Sequence, residues 1–147
     1  MEVGQPSTGA PQRVKEAAKR ALDEDTIGYT NAMGNLNLRE KIAEMYKDKY
    51  NADVDAANVM ITTGSSASFL MLFLTCFTAG DTVAVCSSGY PCYRNILKAT
   101  EIEIATLQVN AQFKITAKTL VEEVERRSAA GEREIKGLIL SSPGNPT

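Results

Sequence analysis

Short apolar runs alternate along the chain with segments whose apolar residues recur at helical spacing. The runs that predict β-strands cover residues 59–62, 82–86, 102–107 and 137–140. They lack strict apolar–polar alternation, which is typical of strands that are buried on both faces of a parallel sheet. The segments between them have the apolar stripes of helices. Together the patterns predict an α/β fold, a mainly parallel sheet flanked by helices in three α/β/α layers.

Residues that favour helix starts mark the segments between these runs. Pro11 suits the first turn of a helix that continues to about Asp23. Asn37 is predicted to cap a second helix, with Glu40 three residues on as in a capping box. Further helices are predicted over residues 67–77, 91–98 and 116–131. The first of these three is apolar all round, so we expect it to be buried.

Composition excludes several kinds of protein. Of 147 residues 44% are apolar, and the formal net charge is -2. Such a chain can bury a core and has no basic surface that would favour nucleic acid or an anionic membrane. Its most apolar segment, residues 69–77, is far shorter than the roughly 18 residues of a spanning helix. The N-terminus also lacks the features of a secretory signal, so we expect a soluble, cytoplasmic protein.

The sequence offers few side chains for unaided catalysis. Histidine is absent, and Cys76, Cys86 and Cys92 form no Cys-x-x-Cys pair. Neither a metal site nor a disulfide framework is therefore expected. Cys92 is a poor candidate for a nucleophile, because no histidine could activate it. Catalysis would have to use carboxylate, lysine or tyrosine side chains, or a cofactor.

A turn of small residues joins the first predicted strand to the next helix. Gly64 would let the backbone approach a ligand, and Ser65 and Ser66 would add hydroxyl donors. Because a helix N-terminus has unpaired N–H groups and partial positive charge, it is a suitable seat for a phosphate. The turn matches neither a Walker loop nor a dinucleotide fingerprint. A buried helix that is merely capped by serine is the alternative.

Two more loops follow predicted strands. Tyr90, beside Pro91, could stack on a flat heterocycle or else pack in the core. Asn145 lies between two prolines in a rigid turn, where its amide could contact a ligand or the turn could be purely structural. Ligands of open α/β sheets bind at the carboxyl edge of the strands. We therefore expect the three loops to meet around one phosphorylated, aromatic ligand.

The order and spacing of these motifs resemble class I/II aminotransferases, which are pyridoxal-phosphate (PLP) enzymes of fold type I in the aspartate aminotransferase superfamily. The resemblance covers essentially the whole chain and is carried by Gly4-Gln5-Pro6, Tyr29, Gly34, Leu38-Arg39, Thr63-Gly64-Ser65-Ser66-Ala67, Gly80-Asp81, Gly89-Tyr90-Pro91-x-Tyr93 and Ser142-Pro143-Gly144-Asn145-Pro146-Thr147. It implies an N-terminal partial sequence. Residues 1–30 would be the N-terminal arm and first helix, as part of the small-domain and dimer-contact region. Residues 31–147 would be the front of the PLP-binding large domain, truncated at its C-terminus.

The resemblance implies that PLP is the cofactor and assigns residues to it. Ser65 and Ser66, beside Gly64, would hold the phosphate. Tyr90 would stack on the pyridine ring. Asn145 would donate a hydrogen bond to the phenolic oxygen of the ring.

Other implied roles lie outside these loops. Tyr29 would reach the phosphate in the neighbouring subunit, which implies a homodimer. Gly4 would lie where the substrate carboxylate enters. Arg39 and the Gly80-Asp81 turn are expected to be structural.

The resemblance also implies groups that we expect downstream of Thr147. These are the lysine that forms a Schiff base with PLP and the aspartate that pairs with the ring nitrogen. In the family that lysine follows a Ser or Thr by three residues, and none of the nine lysines here does. We therefore expect no catalytic residue and no transaminase activity in this chain alone.

The implied reaction of the whole enzyme is transfer of an amino group between an amino acid and a 2-oxo acid. Three alternatives remain open. The first is another fold type I PLP enzyme, of the β-lyase or cyclopropane-forming synthase type. The second is a truncated, non-catalytic module for dimerisation or binding. The third is a phosphate-binding α/β protein unrelated to PLP, which burial of Tyr90 in the core would favour.

Overall fold

The computed structural model of the protein describes residues 7–145. These residues fall into two compact units, which divide between Thr62 and Thr63. The helices are α1 (Gln12–Glu24), α2 (Leu36–Tyr50), α3 (Ser65–Cys76), α4 (Pro91–Ala99) and α5 (Ala117–Ala129), with a short 3-10 turn at Ala56–Asn58. The strands are β1 (Thr82–Cys86), β2 (Glu103–Leu107) and β3 (Ile135–Ile139). The boundary between the units differs from the predicted domain boundary at residue 30, and the assignment to domains of a complete enzyme stays a prediction.

The start of α2 differs from the sequence prediction. Its N-cap is Asn35, whose side-chain oxygen accepts the backbone N–H of Asn37 at 2.9 Å. The prediction of Asn37 as the cap was therefore wrong by two residues. Both asparagines have the chemistry of a cap, and the turn at Gly34, with φ +90°, decides between them because the helix follows it directly.

The strand predicted over residues 59–62 is not formed among the described residues. Ile61 donates its backbone N–H to the carbonyl of Met33 at 3.0 Å, but no ladder continues from that bond. A strand needs a hydrogen-bonded neighbour along its length. The apolar run correctly indicated partial burial of Ile61, but a run of this kind carries no information on whether a neighbouring strand exists.

A parallel sheet forms the centre of the second unit. Its strand order is β2-β1-β3, and β1 runs parallel to both neighbours. Ala84 of β1 lies opposite Ala105 of β2 and Leu138 of β3. The central strand is almost entirely buried, as its unbroken apolar pattern predicted. The α/β prediction with a parallel sheet is confirmed.

The two faces of the sheet carry separate core clusters. On one face α3 and α4 contribute Phe73 and Leu97, which pack against Val83 and Val85. On the other face Leu120 of α5 packs on a cluster formed by Ala84, Ala105 and Leu107. Helices therefore cover both faces, and the predicted three layers are present in this unit.

Helix α3 corrects the expectation of a buried helix. It begins at Ser65, two residues earlier than predicted, and of its residues only Phe73 is buried. Leu72 and Leu74 are 54% and 61% exposed. The helix is apolar all round, but in this unit Phe73 is the residue that enters the core, and Phe69 packs on Tyr93 of α4. The expectation that the whole helix is buried was therefore wrong, because apolar character alone does not say how much of a helix its neighbours cover.

Candidate functional site at the carboxyl edge of the sheet

A cleft lies at the carboxyl edge of the sheet in the second unit. The strands are parallel, so the loops that follow β1 and β3 leave the sheet at the same edge. The cleft has a volume of about 610 Å³ and is lined by Ser88, Gly89, Tyr93, Phe113, Ile139 and Asn145, among others. Its walls are largely apolar, with polar groups supplied by the loops. Such a mixture suits a flat organic ligand with a few hydrogen-bonding groups.

Tyr90 stands at the entrance to α4, where it is the N-cap residue. It is half-buried, so it is not a core residue. Its ring meets the ring of Tyr93 edge to face, with centroids 5.6 Å apart. Tyr93 in turn is 8% exposed and packs edge to face on Phe69 at 4.8 Å. Tyr90 is therefore supported by the core through Tyr93 and lies next to the cleft that Tyr93 lines.

The small-residue turn forms the N-terminus of α3. Gly64 is the N-cap, with φ 83° and ψ 167°. The cap position is therefore held by glycine and not by serine, unlike the alternative of a helix capped by serine. A Cβ on Gly64 would meet nothing within 4 Å, so its positive φ rather than crowding favours glycine. Ser65 and Ser66 are exposed in the first turn.

A side-chain contact joins the beginnings of α3 and α4. The thiol of Cys92 donates to the hydroxyl oxygen of Ser66 at 3.2 Å. This bond leaves the hydroxyl proton of Ser66 able to donate elsewhere. It brings Ser66 close to the Tyr90–Tyr93 segment, so two of the three predicted loops meet in the structure.

Asn145 belongs to the loop after β3. In that loop the hydroxyl of Ser141 donates to the carbonyl of Pro143 at 3.0 Å, and the Ser142–Pro143 peptide bond is cis. Asn145 is exposed and lines the same cleft as Tyr93. The loops after β1 and β3 are therefore brought together, as the sequence predicted.

Two further residues were predicted for the site. Tyr29 lies in the first unit, where its side chain is fully exposed. Gly4 lies outside the described residues.

The residues that we expected to be structural make local contacts. Arg39 donates from Nη1 to the carbonyl of Ala56 at 3.1 Å. Asp81 accepts the backbone N–H of Thr78 at 2.9 Å, and this bond lowers the pKa of the Asp81 carboxyl below its ordinary value. Both contacts hold turns in place.

Sequence reasoning missed part of the cleft. Tyr93 was noticed only as part of a motif, although its spacing of three from Tyr90 would place both rings on one side of a helix. The wall formed by residues 109–115 gave no signal, since Phe113 reaches it through a left-handed backbone with φ 57°.

Among residues 7–145 no cluster of side chains could hold a metal ion. No helix within that range is long and apolar enough to cross a membrane.

The geometry places the second unit among α/β proteins that can hold a ligand at the carboxyl edge of a parallel sheet. Residues 1–147 match the family described as aminotransferase class I and II. The chain belongs to this family.

Curated relatives and solved structures resemble the chain along nearly its whole length. It is 43% identical to the valine–pyruvate aminotransferase of Mycobacterium tuberculosis over 100% of this chain and 36% of the relative. It is 32% identical to a probable aspartate aminotransferase of Methanocaldococcus jannaschii, over 99% of this chain and 37% of that protein. The chain thus spans little more than a third of their length.

Solved structures agree in fold. A crystal structure of an aminotransferase from Mycobacterium tuberculosis superimposes with a TM-score of 0.88 at 44% identity, covering 99% of this chain and 36% of that one. A tetra mutant of the aspartate aminotransferase of Thermus thermophilus superimposes with a TM-score of 0.87 at 26% identity. The match covers 99% of this chain and 39% of that one. The fold is therefore that of part of an aspartate-aminotransferase-type enzyme.

Proposed function

We propose that this chain is the front part of the cofactor-binding domain of a PLP-dependent aminotransferase. The whole enzyme would move an amino group between an amino acid and a 2-oxo acid. Membership of the aminotransferase family supports the proposal. The observation that carries it is that Cys92 of α4 contacts Ser66, while Gly89 and Tyr93 of the neighbouring segment line one cleft with Asn145.

The donor set fits a phosphorylated pyridine. The N-terminus of α3 offers backbone N–H groups and the hydroxyls of Ser65 and Ser66, and the partial positive charge there favours a phosphate. Gly64 provides the positive φ with which the helix begins. When bound, PLP would supply the electron sink that amino-group transfer requires.

The side chains of this chain would orient the ring. Tyr90 would cover one face of the ring and keep water from it, as an aromatic ring held by Tyr93 can do. The amide of Asn145 would donate a hydrogen bond to the phenolic oxygen. That bond would stabilise the ionised oxygen and so tune the acidity of the groups next to it.

Several parts of the proposal extend beyond the described residues of one chain. Tyr29 is exposed and would reach the cofactor phosphate of a neighbouring subunit in a homodimer. Gly4 would lie at the entrance for the substrate carboxylate. The Schiff-base lysine and the aspartate for the ring nitrogen remain predictions for residues outside this chain, as does a cytoplasmic location.

The names of the relatives favour transamination over the other PLP chemistries. The two relatives described above are named as aminotransferases, one acting on valine and pyruvate. We therefore prefer transamination to β-elimination or cyclopropane formation, and valine with pyruvate is the first substrate pair to assay.

The test uses the protein expressed from its complete gene and titrated with PLP. Ser66→Ala should weaken PLP binding about 10- to 100-fold, because a hydrogen bond to a charged phosphate is lost. Ser128→Ala, which removes an exposed hydroxyl on α5, is the matched control and should bind PLP normally. Equal affinity in both variants, or no binding of PLP by the unaltered protein, would reject the proposal.

A further inference from the structure

The turn that carries Tyr90 is built around one carbonyl group. The backbone oxygen of Cys86, the last residue of β1, accepts the N–H of Gly89 at 3.0 Å. It also accepts Nη2 of Arg94 at 2.6 Å. A Cβ at Gly89 would lie 3.1 Å from the same oxygen, so the turn packs closely on it. The position of the Cys86 carbonyl therefore determines where Tyr90 begins α4.

The other side of this turn is fixed independently. Ser87 donates its backbone N–H to the carbonyl of Leu107 at 2.8 Å, which continues the ladder to β2. The hydroxyl of Ser87 accepts the N–H of Val109 at 3.2 Å. These bonds hold the beginning of the turn. At the point where the turn enters α4, Arg94 makes the side-chain contact that connects the turn to β1.

Arg94 is well placed to hold the turn, and its guanidinium forms no ion pair among the described residues. It lies four residues after Tyr90, one helical turn along α4, and is half-buried. No carboxylate within residues 7–145 lies within 4.0 Å of its guanidinium. A charged donor to a carbonyl makes one of the stronger hydrogen bonds. Its bond thus spans from the helix to the end of the strand.

We propose that Arg94 is a positioning residue for Tyr90. By holding the turn at residues 87–90 against β1, it aims the Tyr90 ring at the cofactor ring without touching the cofactor itself. This inference rests on the proposed PLP site. It assigns to Arg94 an effect on the ring of the ligand and none on its phosphate.

A comparison of two ligands separates positioning from a general loss of structure. The protein expressed from its complete gene is titrated with PLP and, separately, with inorganic phosphate. Arg94→Met should weaken PLP binding about 5- to 10-fold, less than the loss of a direct hydrogen bond to the charged ligand would, while phosphate affinity stays unchanged. Arg94→Lys, which keeps the charge but lacks the planar fork, should fall between. The induced circular dichroism of bound PLP should decrease in the same order.

Two further variants show whether Arg94 acts through Tyr90. Lys98→Met removes an exposed positive charge from the same helix, one turn further on, and should leave PLP binding unchanged. In Tyr90→Ala the cofactor ring has already lost its cover, so adding Arg94→Met should weaken PLP binding no further. If Arg94→Met destabilises the fold, as a lowered thermal midpoint would show, the same comparisons are made with Arg94→Lys.

The outcomes are distinct. Equal losses for PLP and phosphate in the Arg94 variants, or additive losses with Tyr90→Ala, would overturn the positioning role and leave the PLP site standing. Unchanged PLP affinity in Arg94→Met would do the same. No binding of PLP by the unaltered protein would overturn the proposed function and this inference together.

Discussion

Gly34 shows how one residue can determine the local course of the chain. It is buried, and its φ is +90°, a backbone conformation that residues with a Cβ rarely adopt. A Cβ there would lie 2.6 Å from the Cβ of Ile61. Gly28 lies in the same turn-rich stretch, but a Cβ on it would meet nothing within 4 Å. The sequence has glycine at both positions, but it could not say which of the two the fold requires.

This difference gives a prediction for a pair of substitutions. Gly34→Ala should destabilise the protein by about 2 kcal/mol, because the substitution adds backbone strain and a clash with Ile61. Gly28→Ala should be neutral or slightly stabilising, since it only restricts the unfolded chain. Urea unfolding of both variants measures the difference. Equal free energies of unfolding in both would show that the conformation at Gly34 is not required.

The candidate site could be predicted in part at this scale. Ser66, Tyr90 and Asn145 were predicted as site residues because small, aromatic and amide residues follow predicted strands in order. The contacts that arrange them were not predictable. The bonds from Cys92 to Ser66 and from Arg94 to the Cys86 carbonyl depend on how α3 and α4 pack together, which no spacing along the chain encodes.

Among the elements, helices with local signals were predicted best. Thr116, the first residue of the helical segment predicted over 116–131, caps α5, with Thr119 as its reciprocal partner in the capping box. The strand over residues 59–62 was wrong because pairing is a long-range property. Local chemistry thus indicated the helices and placed the starts of α2 and α3 within two residues, while sheet membership depends on distant residues.

Helix α5 is connected to the loop that follows it by an ion-pair network that the sequence did not reveal. Arg127 is 8% exposed, pairs with Glu132 at 2.9 Å and donates from Nε to the carbonyl of Arg133 at 2.9 Å. Beside it, Arg126 donates from Nε and Nη2 to Glu123, each at 2.9 Å. This hydrogen bonding lowers the pKa of the Glu123 carboxyl below its ordinary value of 4.5.

The lowered pKa of Glu123 predicts how stability responds to acid. The carboxylate contributes stability that is fully present above pH 4.5, its ordinary pKa, and is lost as the pH falls through the lower folded value. Glu123→Gln should therefore make the free energy of unfolding fall less steeply as the pH decreases below 4.5. Glu122→Gln, which removes a carboxylate that pairs with Lys118 instead, should keep the acid response of the unaltered protein. Thermal unfolding from pH 6 down to about pH 3 compares them. An unchanged acid response in Glu123→Gln would contradict this account of the network.

At the scale of the whole molecule, the sequence predicted the fold class and some of the loops that line the cleft. Unbroken apolar strands indicated a parallel sheet, and β1 at its centre confirms this. Parallel strands place the loops after β1 and β3 at one edge, which is why widely separated residues such as Tyr93 and Asn145 line one cleft. The wall at residues 109–115 followed from no pattern in the sequence.

The central claim is that these loops hold one phosphorylated aromatic cofactor, and a crystal structure of the complete protein with PLP tests it most directly. The account predicts the phosphate within hydrogen-bonding distance of Ser65 and Ser66, the Tyr90 ring against the pyridine, and the Asn145 amide on the phenolic oxygen. PLP bound on another surface, or with its phosphate away from the N-terminus of α3, would contradict it.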